Sequence, residues 1–317
     1  MKKLAGVVVV LLLLYVALLA TVPNARRTEN HTNIARRIGQ YGIISLGAGT
    51  LIISGGIDLS MGSFVGLSAT ILAYCLTVQK MSPAAAIAVV GAIGGVAGTI
   101  HGLLVTKLRL QPFVVTLCGL FVYRGLARWL AGDANPGLGN GFLEFREAFS
   151  LHEFGPLPVE FLYLLAAVVV FGILLHRSVY GRYLFAIGSN ETAARYSGIP
   201  VDRYKILAYV LCSLSGAFFA VMYLAEHGGV QPSNTGAFLE LYAIAGAVLG
   251  GCSLRGGDGN VFGIVAGTAI LAILKTAVTF WEVPDALEYA AIGGALLFGA
   301  ILDEFLRRRG PAVRAGS

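Results

Sequence analysis

The sequence predicts an all-α polytopic membrane protein, and three observations carry that reading. Hydrophobic residues make up 56% of the 317 positions and charged ones only 13%, against about 25% charged in soluble domains, where polar groups must face water. Mean hydropathy is +0.77. The 42 glycines, roughly twice the ordinary share of ~7%, supply small side chains that let lipid-embedded helices approach closely. A soluble enzyme, a disordered chain and a disulfide scaffold are excluded.

A helix crossing a hydrocarbon core of about 30 Å needs about 20 apolar residues. Leu4–Thr21, Ala84–Leu104, Val159–Leu175, Ile206–Ala225, Val261–Phe280 and Ala286–Leu306 meet that requirement. Pro112–Leu130 is also long enough, with Arg124 and Arg128 on one face. Ile38–Val78 is two spans long and broken at Gly55–Ser60, while Leu241–Gly251 is short and ends in a second glycine-rich break. The count is about ten transmembrane helices with two broken or re-entrant segments. The whole chain, 1–317, reads as a single transmembrane domain, with a first span over 1–22, a long cytoplasmic loop over 177–205 and a cytoplasmic tail over 307–317.

Lys and Arg placement sets the orientation. With the N-terminus inside, Lys2, Lys3, Lys107, Arg109, the Arg177–Lys205 stretch and Arg307–Arg309 are all cytoplasmic. The acidic loop with Asp133, Glu144, Glu147 and Glu153 lies outside, as does the Glu226–Glu240 loop. Arg26, Arg27, Arg36 and Arg37 run against this scheme. The first run also fits a signal peptide, but its removal would place the remaining basic loops on opposite sides, so an uncleaved span is the better reading.

The net charge of +6 lies between apolar runs, where it orients helices; no basic stretch interleaved with aromatics points to nucleic acid. Cys75, Cys118, Cys212 and Cys252 stand singly in apolar segments, a pattern of packed thiols with no metal site or redox pair. No Gly-x-x-x-x-Gly-Lys-Ser/Thr loop, His-Glu-x-x-His or nucleophile–base arrangement is present. The chain is therefore expected to be no enzyme, to hydrolyse no ATP itself and to carry no cofactor.

Irregular backbone at membrane depth survives only where protein or a water-filled cavity satisfies its polar groups. That singles out Gly55, Gly56 and Gly62 around Asp58, Ser60 and Ser63. Asp58 is costly against lipid and is expected to cap the next helix, to pair, or to line a pathway. Gly250, Gly251, Gly256, Gly257 and Gly259 form the second break. Gly62–Gly66 and Gly259–Gly263 read alike, as in transporters built from repeated halves. Ser189–Pro200 predicts a short helix: Ser189 or Asn190 caps it, Glu191 suits its positive end, and Gly198 and Pro200 stop it. Being marginal alone in water, it needs something to pack against, such as a partner subunit or the headgroups.

Gly55-Gly56-Ile57-Asp58-Leu59-Ser60-Met61-Gly62-Ser63 resembles the signature of permease subunits of bacterial ribose/xylose-type sugar ABC importers. Similar stretches follow in the family's order: Arg109–Phe113 with Thr116 and Arg124-Gly125, Gly181–Glu191, Gln231-Pro232 through Gly236 to Glu240, Ala243–Gly259 and Ile301–Asp303. The resemblance covers nearly all of the chain from Asn30 to Asp303. It implies a multi-pass subunit of the bacterial inner membrane that carries a monosaccharide by alternating access. The implied partners are a cytoplasmic ABC ATPase subunit that binds the ATP, a periplasmic sugar-binding protein and a second permease copy or paralogue, all within the lipid bilayer. It also implies that Asn190, Glu191, Ala194, Arg195 and Gly198 belong to a coupling helix docked on the ATPase.

Asp58, Ser60, Ser63, His101 and Glu240 are the candidate substrate-pathway residues. His101, Tyr242 and Lys275-Thr276 depart from the family's usual residues, which bears on the sugar and on the polarity of its path. His101 reads as a packed, hydrogen-bonded histidine or a pathway residue, and Lys275 must pair or snorkel, with Glu240 and Glu288 as candidate partners. The alternative functions are a branched-chain amino acid or nucleoside ABC permease, and an ion-coupled secondary transporter using Asp58.

Overall fold

The computed structural model describes residues 2–132, 134–139 and 141–281, with isolated positions 287, 290, 293, 294 and 297. Its main elements are α1 (Lys2–Thr21), α2 (Thr28–Ile53), α3 (Met61–Thr77), α4 (Pro83–Thr106), α5 (Pro112–Ala131) and the short α6 (Leu143–Arg146). They continue with the two-residue strands β1 (Glu153–Phe154) and β2 (Leu157–Pro158), then α7 (Val159–His176), α8 (Val179–Ser189), α9 (Glu191–Tyr196), α10 (Val201–His227), α11 (Leu239–Leu249) and α12 (Val261–Phe280).

Among the described residues, six helices are long and apolar enough to cross a membrane: Leu4–Thr21 of α1, then α4, α5, α7, α10 and α12. Six of the roughly ten expected spans are thus clear among the described residues. Two expected spans, α3 and α11, are apolar but shorter, and α2 starts with a polar stretch, Thr28–Arg37. Ala286–Leu306, apart from the isolated positions, lies outside the described residues, as do Asp133, Glu288, Ile301–Asp303, Arg307–Arg309 and the tail 307–317.

Helix α10 is the centre of the bundle, packed on α4, α2 and α3; α2 also packs on α7, α11 and α12. Both central helices are rich in buried small residues that admit close neighbours. A Cβ at Gly98 of α4, for example, would stand 2.6 Å from the Tyr209 carbonyl oxygen of α10. Helix α1 packs chiefly on α12 and leaves most of its surface uncovered.

The two ends of α10 are about 40 Å apart at 1.5 Å per residue, and they carry different chemistry. At its start, Asp202 accepts from Lys107 Nζ (2.6 Å), which brings the ends of α4 and α9 together. At its other end, the Glu226 carboxylate meets Gln40 of α2, and Arg146 donates to the Ala225 and Glu226 carbonyls. Lys107 and the Arg177–Lys205 segment thus share one end, while the acidic 144–153 segment and the Glu226–Glu240 loop share the other. Arg36 lies inside α2, paired with Glu153 at 2.7 Å, so its charge is balanced by the acidic loop it faces.

Candidate functional site

Three features come together along the bundle: an open cavity, a buried polar cluster and a junction of glycines. The cavity lies at the Glu226 end of α10 and has a volume of about 230 Å³, roughly the share of eight liquid waters. Tyr41 and Tyr242 stack across its wall, centroids 5.6 Å apart and nearly parallel, and Lys275 Nζ lies 5.4 Å from the Tyr242 ring centroid. A cation over an aromatic face is attracted by the ring quadrupole, which gives the intramembrane Lys275 a contact the sequence did not reveal. Gln40, Gln231 and Asn234 add amides to the lining.

The loop over 231–238 forms another wall. Arg124 of α5 reaches across and donates to the Pro232 and Thr235 carbonyls at 3.0 and 2.7 Å. Gly236, which lines the cavity, presses its backbone against Gly62 at the start of α3, and Glu240 Oε2 approaches the same glycine. Any side chain at Gly62 would collide with both. Glu240 is therefore buried at the contact between the cavity loop and the first break.

Behind that contact lies the polar cluster. Asp58 Oδ1 accepts from the Ser60 backbone N–H and hydroxyl at 2.8 and 2.6 Å, an Asx-type turn that feeds the chain into α3. Ser63 donates back to the Ser60 carbonyl. Asp58 therefore organises the turn, while Ser60 occupies the N-cap position without a side-chain cap bond. His101 Nδ1 is 3.8 Å from Asp58 Oδ2, and Nε2 is 3.2 Å from the Tyr123 hydroxyl. Cys212 Sγ approaches Asp58 Oδ2 at 4.0 Å. Asp58, Ser60, Ser63 and His101 are all buried and do not line the cavity.

The two breaks meet. The Gly257 N–H donates to the Ile53 carbonyl at the end of α2 (2.9 Å), and a Cβ at Gly256 would lie 2.9 Å from the Gly55 nitrogen. Gly188, near the end of α8, has both of these at its back: a Cβ there would run into the Ile53 oxygen and the Gly257 nitrogen. Gly256 and Gly257 also hold φ of +87° and +77°, a region that only glycine enters without strain. Gly56 packs on Leu51, Gly250 on the Gly263 backbone and Gly259 on Ile53, while Gly251 turns the chain with open space around it. Asn260 then caps α12 by accepting from the Phe262 and Gly263 N–H groups.

Helix α9 hangs directly from this junction. Asn190 rather than Ser189 caps it, accepting from the Ala193 N–H at 2.9 Å, and Gly198 ends it at φ +80°. Ala194 is buried with Ile187 and Val201. Glu191 and Arg195 are tied to α10: Glu191 to Lys205 and Arg195 to Asp202, both at 2.9 Å. Burial pushes the Glu191 carboxyl up, but hydrogen bonds and charge from Lys205 and Arg195 outweigh it and hold it below the usual range. The projecting side chain is Tyr196, 90% exposed. Sequence reasoning passed over it because an aromatic at the end of an amphipathic turn reads as packing.

Sequence reasoning also missed Gln40 and Tyr41. Their signal was present, an amide and a phenol entering the otherwise apolar run Ile38–Ile53, but that run was read only for its glycine break.

Residues 30–301 match the family profile described as branched-chain amino acid transport system / permease component. The ribose import permease protein RbsC of Bacillus subtilis is 35% identical over 89% of this chain and 86% of its own length. The galactose/methyl galactoside import permease protein MglC of Salmonella typhimurium is 33% identical, over 95% and 94%. The L-arabinose ABC transporter permease protein AraH of Azospirillum brasilense is 30% identical, over 98% and 90%. No solved structure matches the chain.

Proposed function

The chain belongs to this family of ABC transport permease components, and from that premise we propose that it carries a monosaccharide inward across the cytoplasmic membrane, driven by a separate ATPase subunit. The observation that carries the sugar reading is the cavity, whose Tyr41–Tyr242 stack and ring of amides suit a polyhydroxylated ring. Aromatic faces cover the apolar C–H face of such a ligand and amides meet its hydroxyls. The permease relatives named for ribose, galactose and arabinose fit the same chemistry.

In this reading the cavity faces outward and receives the sugar from a solute-binding protein. The Asp58 cluster and the Gly62–Gly236 contact close it toward the cytoplasm. The ATPase engages α9 through Tyr196 and its neighbours. Because Gly188 backs onto Ile53 and Gly257 without intervening side chains, displacement of the α8–α9 corner moves the end of α2 and the second break together. Gln40 and Tyr41 lie about 20 Å up the same helix, so the push reaches the cavity wall through one rigid element. Two permease copies or paralogues form the pathway, each with about ten spans.

The test is uptake into proteoliposomes containing the permease, its ATPase and its binding protein. ATP-dependent accumulation of labelled D-ribose, D-galactose or L-arabinose is expected, with none when the ATPase is omitted. Uptake that survives without the ATPase and collapses with an uncoupler would overturn the reading in favour of ion coupling. Accumulation of L-leucine alone would favour the substrate named in the family description.

A further inference from the structure

The cavity wall contains one side chain whose hydrogen-bonding direction is set by its surroundings. Gln40 Nε2 donates to Glu226 Oε2 at 2.6 Å and lies 3.5 Å from Glu160 Oε1. Glu160 is fully buried, accepts from the Ser150 hydroxyl and faces Arg36 Nε at 3.5 Å. Glu226 is steadied by Arg146, which holds its backbone carbonyl, and by His227 Nδ1, 3.6 Å from its carboxylate. An amide has two donors on nitrogen and an acceptor on oxygen, and an ionised carboxylate only accepts. With carboxylates on one side, the amide nitrogen of Gln40 must face them. Its oxygen is then the group it offers to the cavity it lines.

Resting on the sugar reading above, we infer that Gln40 is a specificity-determining residue that accepts a hydrogen bond from one donor hydroxyl of the transported sugar. Glu226 and Glu160 are positioning residues that keep the amide from flipping. The site takes a ligand with a donor at that point and discriminates against one that can only accept. A buried acceptor left without its donor forfeits the bond and still bears its desolvation cost. Selectivity at that point is therefore sharper than the stacking on Tyr41 and Tyr242 provides.

Fluorinated sugars separate the two properties, because fluorine in place of a hydroxyl retains size and removes the donor. Uptake kinetics are measured in proteoliposomes of the full complex for the transported sugar and its singly fluorinated analogues, with wild type, Gln40→Met, Gln40→Asn and Glu226→Gln. The same binding protein serves every variant, so differences between variants belong to the permease. For wild type, one analogue is expected to show about a tenfold rise in KM beyond the others, equivalent to about 1.4 kcal/mol. In Gln40→Met that penalty disappears, with KM for the parent sugar raised. Glu226→Gln, which frees the amide to turn, reduces the penalty partway. An unchanged analogue profile in Gln40→Met, with the complex intact by size exclusion and its ATPase still active, would overturn the assignment. If wild type moves L-leucine and none of the three sugars, the sugar reading fails alone. The α-ammonium is then the donor, and Gln40→Met must raise the KM for leucine or the assignment falls with it.

Discussion

The cavity and the glycine junction sit at the middle and the C-terminal end of α2 and are built in opposite ways. At Gln40 and Tyr41 the wall is all side chain, with rings, amides and carboxylates each holding the next. At the Ile53 carbonyl, Gly188 and Gly257 bring main chain against main chain with no side chain of their own between. Side chains have rotamers and adjust to a ligand at small cost, whereas a main-chain contact without slack transmits displacement and adapts to nothing. In the proposed reading, recognition and force transfer call for different materials, and α2 joins them.

The largest expected effect comes from giving the junction slack or bulk. Gly188→Ala should cut sugar uptake more than tenfold while ATPase co-purification persists; Gly95→Ala, where an added Cβ meets nothing, should leave uptake and stability unchanged. Equal losses in both would erase the contrast between junction and lipid-facing glycines. Next comes the cavity. Tyr242→Leu removes the stacking partner of Tyr41 and the ring beneath Lys275, and should raise the KM for uptake several-fold with uptake per ATP unchanged. A fall in that ratio instead would mean that the cavity and the junction are not separable.

Smaller effects belong to the ties of α9. Arg195–Glu191 joins two side chains about half open to solvent and Lys107–Asp202 joins an exposed lysine to a more covered aspartate; solvent-exposed pairs contribute about 0.2–1 kcal/mol. Lys205→Met releases Glu191 and should reduce coupling two- to threefold, read as ATP hydrolysed per sugar moved, without unfolding the permease. The smallest effect is on pH. The Glu191 carboxyl is held below its usual value of 4.5, so its anchoring is complete above that value and is lost only as pH falls through its own lower one. Coupling should stay flat from neutral pH to the ordinary glutamate range and decline below it, and Glu191→Gln should abolish the decline.

The placement of the breaks was legible because glycine runs and an aspartate inside apolar sequence have few explanations at membrane depth. The α9 helix was legible for the same kind of reason, since Asn190, Gly198 and Pro200 are local signals with local consequences. What pairs with what was not legible. Asp58 and His101 were both singled out, yet nothing in one dimension shows that a helix 43 residues later brings the imidazole within 3.8 Å of the carboxylate. Glu160 opens an apolar run and reads as an interfacial anchor, but it is fully buried because Ser150 and Arg36 reach it from two other elements. The ion pairs that fasten Glu191 and Arg195 to α10 were likewise not legible, since Lys205 and Asp202 lie on another helix.

Tyr196 leaves the molecule with a convenience for the experimenter. The chain has only two tryptophans, Trp129 and Trp281, both far from α9 in sequence. An indole put in place of this protruding phenol would emit from the tip of α9. If the proposed ATPase contact forms there, quenching or a blue shift of that emission would report it.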